Sequence, residues 1–144
     1  MPEKETLERA RKDKREGKAP STQAGEFVRE EIEHIREGKH GARSTKQAIA
    51  IGLAKARRAG VDLPPSESAS DETKEQAKRD LKKAKSGKKT SAKRSRATRK
   101  ALKKEGRRAA SKEALSSQAH KAAKRRSAAA RSRSAKKAAR TRKK

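Results

Sequence analysis

The chain has 144 residues, 45 of them Lys or Arg against 18 Asp or Glu, for a formal net charge of +27. Only 28% of the residues are hydrophobic and Phe27 is the single aromatic one, a balance that points away from an ordinary globular core over the full length. The absence of cysteine excludes disulfides, thiolate nucleophiles and cysteine-based zinc sites, and no apolar run approaches the ~20 residues of a membrane span.

Residues 1–20 form a charged arm. Pairs four apart, Glu5 with Arg9 and Glu8 with Lys12, favour a short helix, but Leu7 is its one large apolar residue and the arm is expected to fray. Residues 21–63 read as a helical hairpin. Ala24, Val28, Ile32 and Ile35 recur at helical spacing beside Phe27. Gly38 to Gly41 make a tight turn, and Ser44 opens the second helix as N-cap with Gln47 three residues on. Ile49, Leu53 and Ala56 lie on one face of that helix and Ala48, Ile51 and Ala54 on an adjoining one. Gly52 between them suits a close helix–helix approach. Gly60 supplies a left-handed stop, with Val61 folding back. So little apolar surface leaves a lone hairpin marginal, and a second copy or a docking partner would supply the missing cover.

Pro64 and Pro65 end this head, and residues 64–70 are a linker. Ser70 caps a short charged helix over 71–86, broken at Ser86-Gly87. Residues 87–144 are a polybasic tail with only two large apolar residues, Leu102 and Leu115. Residues 85–144 carry 25 basic and 2 acidic side chains, whereas residues 1–65 carry 15 basic and 11 acidic. The fold class expected from this pattern is all-α: a small helical hairpin followed by a largely disordered or loosely helical Lys/Arg/Ala-rich tail.

The tail carries the chemistry. Its cations come in pairs and triplets separated by Ala and Ser: Lys88-Lys89, Lys93-Arg94, Arg99-Lys100, Lys103-Lys104, Arg107-Arg108, Lys124-Arg125-Arg126, Lys136-Lys137 and Lys143-Lys144. Each cation that meets a phosphate releases a condensed counterion, so such a pool binds polyanions without reading sequence. No zinc finger, leucine-zipper array or aromatic stacking platform offers base readout. Short Arg-Ser runs such as Arg131-Ser132-Arg133-Ser134 are similar to RNA-binding Arg/Ser segments, and their serines are candidate phosphorylation sites.

His34, His40 and His120 are the only candidates for acid–base or metal work. With no neighbouring ligand pattern, His34 and His40 read as a solvent-facing helix residue and a turn residue. No phosphate loop, carboxylate pair or nucleophile–base constellation appears. The expectation is therefore no enzyme, no cofactor and no metal.

The segment Lys46-Gln47-Ala48-Ile49-Ala50-Ile51-Gly52-Leu53, followed by Ala56-Arg57-Arg58-Ala59-Gly60, resembles the core of a family of small basic bacterial proteins of uncharacterised function, some described as DNA-binding. The tail is similar in composition to linker-histone-like nucleoid proteins. The family has no settled activity; the tail's charge carries the expectation of a cytoplasmic, nucleoid-associated protein that binds duplex DNA nonspecifically and compacts the chromosome. RNA or ribosome association is one alternative. Another is a helical protein-interaction module whose tail only localises it.

Overall fold

The computed structural model describes residues 2–66 and 69–143. Glu67 and Ser68 of the expected linker, and Lys144 of the last lysine pair, lie outside the described residues. Among the described residues there are seven α-helices and one 3-10 turn, and no strand: α1 (Lys4–Arg15), α2 (Pro20–Arg36), α3 (Thr45–Arg58), α4 (Asp71–Ser86), α5 (Ala92–Lys103), the 3-10 turn (Arg108–Ala110), α6 (Lys112–Arg125) and α7 (Ala128–Arg142).

The hairpin forms as its residues dictate. The Ser44 side chain accepts a hydrogen bond from the Gln47 N–H at 3.1 Å, while Gln47 Oε1 reaches back to the Arg43 N–H at 2.7 Å. At the far end of α3, Gly60 takes a φ of 100°, the Gly60 N–H donates to Arg57 O and the Val61 N–H donates to Ala56 O. This double bond with a left-handed glycine closes the helix, and Val61 is buried against its last turn.

The α2–α3 contact is made by small side chains. Ala48, Gly52 and Ala56, one turn apart, are buried, whereas the large Ile49, Ile51 and Leu53 are half-buried beside them. A Cβ at position 52 would stand 2.6 Å from the Val28 Cα, so only glycine lets the two backbones come this close. Helix packing at short range therefore replaces the interlocking of bulky residues that the apolar count alone suggests.

The same chain supplies the cover that the hairpin lacks. At one end, α1 lies on α2 and Ala10 joins Ala24, Phe27, Ala56 and Val61 in one core cluster, with Leu7, Leu53 and Leu63 packed around it. The arm does not fray. Arg9 ties Glu5 within α1 and Glu26 on α2, both at 2.6 Å, and Asp13 is buried where Lys18 folds back to it at 2.7 Å. Along α3 lies α4, with Ala77 and Asp80 buried; Asp80 meets Arg58 at 3.4 Å. Ser70 caps α4 by accepting from the Thr73 N–H.

At the other end sits the larger correction. The rear of the chain is helical, not a disordered or loosely helical tail, and its middle docks on the head. Ala109 and Ala110 are buried with Ile32, Ile35, Ala42 and Ala48, and Leu115 packs against this cluster. The Thr45 hydroxyl donates to Ala109 O at 2.7 Å and Arg36 Nε to Ala110 O at 2.9 Å. The Gly41 and Ala42 N–H groups donate to Leu102 O and Gly106 O. Any Cβ at Gly41 would collide with the Glu105 carbonyl. The physical reason is scale: the gap at this end of the hairpin takes alanines, and backbone hydrogen bonds hold them there. Counting large apolar residues does not register such a plug.

Candidate nucleic-acid interface

Helices α5 and α7 bury no side chain at all. Their cations are nevertheless ordered by the helix. At 100° per residue, Lys93, Arg96, Arg99, Lys100 and Lys103 fall within about a third of the circumference of α5, and Arg94 points elsewhere. On α7, Arg133, Lys136, Lys137 and Arg140 share a similar arc. Neither helix contains Asp or Glu, so nothing on the element neutralises these stripes.

The other expected contact residues are also exposed, in different settings. Lys88 and Lys89 occupy the α4–α5 connection, and Lys104 caps α5. Lys124 and Arg125 end α6, and Arg126 links it to α7, bonding Ala130 O at 3.1 Å and the Ser134 hydroxyl. Arg107 and Arg108 belong to the docking segment, and Arg107 donates to Arg36 O at 3.4 Å. One shallow depression there is lined by Arg36, Arg107, Ala110, Ser111 and Lys112. The adjoining one is lined by residues including Arg43, Ser44, Thr45 and Arg108. The N-caps Ser44 and Ser111 bring the amino ends of α3 and α6 to this seam, adding helix-end partial charge to the cations.

The helical arcs add Arg96, Arg133 and Arg140 to the cations that the runs of adjacent Lys and Arg single out. Helical spacing was the signal that would have found them, once the tail is taken as helix. Docking of residues 102–115 brings Arg36 and Arg43 of the head beside Arg107 and Arg108.

A second group of polar side chains lies inside the head. Glu30 and Glu31 are buried on α2. Glu31 binds Lys55 of α3 through Oε1, while its Oε2 stands 3.2 Å from His40 Nε2. His34 Nε2 lies 2.9 Å from Glu3 Oε1, and the Glu3 N–H donates to Glu30 Oε1 at 2.6 Å. The hydrogen bonds from His34 and Lys39 hold the Glu3 carboxyl below its ordinary value. The His34 and His40 side chains retain only 14% and 13% of their exposure, and their rings meet edge to face at 6.1 Å. The expectation of a solvent-facing helix histidine is thus corrected for His34, while His40 lies in the turn as expected, where Schellman closure of α2 at Gly38 turns the loop back so that it reaches Glu31. His120 stays exposed on α6. Among the described residues no helix is long and apolar enough to cross a membrane.

Residues 14–67, which carry α2 and α3 but none of the rear helices, match a family of unknown function (DUF6496). No curated protein and no solved structure matches the chain. Over its head, and there alone, the chain is similar to that family.

Proposed function

We propose that the chain binds nucleic acid without sequence selectivity, duplex DNA foremost, and that its role in a bacterial cell is compaction of the chromosome. The observation that carries this reading is the dense array of cations on α5 and α7, most of each set within one arc, on helices that bury nothing and carry no acid of their own. A helix of this kind has no packing reason to exist on a water-facing surface. Against a polyanion it does, because neutralising the stripe removes the repulsion between neighbouring cations and releases counterions. With side chains, an α-helix about 10–12 Å across also matches the ~12 Å width of the major groove. The head adds Arg36 and Arg43 at the docking seam, beside Arg107 and Arg108.

The test is substitution, since truncation at residue 85 would strip Ala109 and Ala110 from the core. Changing Lys93, Arg96, Arg99, Lys100 and Lys103 to Gln should leave the circular dichroism of the head intact and weaken duplex binding at every salt concentration. If all five meet phosphates, the log–log salt slope should flatten by about 4. An unchanged slope and affinity would sink the reading. Competition between duplex DNA and structured RNA at matched salt decides between chromosome and ribosome; preference for RNA transfers the same stripes to the second partner.

A further inference from the structure

We propose that Glu31, His34 and His40 form a binding site for a first-row divalent transition ion, Zn²⁺ best of all. The three offer one ligand atom each, all within 4.8 Å of one another. Glu31 and His34 stand three apart on one face of α2, and His40 comes to them from the turn.

The hydrogen bonds around the site leave it wanting a cation. His40 Nδ1 lies 3.0 Å from the Gly41 carbonyl, which can only accept, so this nitrogen carries the ring proton. In the neutral ring, Nε2 then holds a lone pair. That lone pair sits 3.2 Å from Glu31 Oε2, a carboxylate oxygen with no hydrogen-bond donor although its side chain is 1% exposed. Two acceptors this close in a buried place repel unless something positive lies near both. The spacing suits an ion: with bonds of about 2.0–2.2 Å, neighbouring ligands of tetrahedral zinc stand roughly 3.3 Å apart. It does not suit a proton shared along a hydrogen bond, because the pair lies within reach yet outside bonding geometry.

The Gly41 carbonyl on His40 is the outer partner that fixes a metal-binding imidazole in its tautomer. Glu3 does the same for His34 by holding Nε2, which leaves Nδ1 available. Charge points the same way. Glu3, Glu30 and Glu31 converge here, and Glu30 Oε2 is a second buried oxygen with no donor. Lys55 and Lys39 are the ammonium groups in ion pairs with this cluster. Three carboxylates against two ammoniums, one of them shared with Glu37, leave the cluster net negative and favour a cation. Two imidazoles and a carboxylate select zinc and its neighbours over calcium or magnesium, which prefer all-oxygen shells. The ion would tie α2, the turn and, through Glu3, the start of α1.

The experiment is calorimetric titration of the chelator-treated full-length chain with Zn²⁺ alone, alongside His34→Ala, His40→Ala and His120→Ala. One ion per chain is expected, with a rise in the thermal midpoint. His34→Ala and His40→Ala should each weaken binding more than about 100-fold, and His120→Ala should change nothing. In the unsubstituted chain, which needs no variant to fold, Zn²⁺ should shift the ring resonances of His34 and His40 and leave those of His120. No binding, shifts confined to His120, or a His40 ring doubly protonated at neutral pH and indifferent to zinc would each overturn the proposal.

Discussion

Helices α3 and α5 both carry Ala, Lys and Arg, but α3 adds Ile49, Ile51, Leu53 and Gly52 where α5 adds further cations, and they reach opposite ends. In α3 the row Ala48, Gly52, Ala56 is small throughout, so α2 can lie against it at backbone range. In α5 the corresponding row is Lys93, Arg96, Lys100 and Lys103, and nothing lies against it. Composition separates the two helices, and the row of residues one turn apart says which face of α3 is buried. What decides is whether the residues one turn apart are small and neutral or long and charged.

The comparison is broken most severely by moving a charge from one surface to the other. Ala56→Glu would place an unpaired carboxylate in the core and should cost about 3–5 kcal/mol. Ala97→Glu, its counterpart on α5, should stay within about 0.5 kcal/mol. Chemical denaturation of the two variants checks this directly; equal losses would mean that α5 is packed. Next comes Gly52→Val, whose added atoms meet the Val28 backbone and should destabilise by about 1–3 kcal/mol. A smaller effect, about 1 kcal/mol, is expected for Ser44→Ala, which removes the cap of α3.

The smallest effect is electrostatic, at the α1–α2 corner. Hydrogen bonding to Lys18 lowers the Glu16 carboxyl from its ordinary 4.5, and hydrogen bonds to Asp13 and then Glu16 raise the Lys18 ammonium from its ordinary 10.5. Glu16 therefore adds stability above 4.5 that is lost as pH falls through its lowered value. Lys18 adds stability below 10.5 that is lost as pH rises through its raised value. Lys18→Met should flatten both flanks of the pH–stability curve slightly, and high salt should do the same to the unsubstituted chain.

Much of this was legible in residue order. The caps Ser44 and Ser70, the stop at Gly60 and the close approach at Gly52 are local or nearest-neighbour matters, and each side chain announces its role through size or hydrogen-bonding capacity. The rear was misjudged because helix formation there depends on Ala, Lys and Arg propensity over whole windows, while its attachment depends on two alanines and a few backbone carbonyls. No periodicity marks Ala109 and Ala110 as a plug.

By itself, the sequence determined that this protein is helical, that its apolar material is concentrated ahead of Pro64, and that its charge is concentrated behind. These follow from spacing and counts, which act over one or two turns. Only the tertiary structure decided that residues 102–115 close the hairpin, that Arg36 and Arg43 join the tail's cations, and that His34, His40, Glu31 and Glu3 converge. Apart from Glu31, His34 and His40, which a loop folds together, those contacts link positions dozens of residues apart, and their free energy comes from filling a gap and satisfying hydrogen bonds whose partners exist only once the chain has folded.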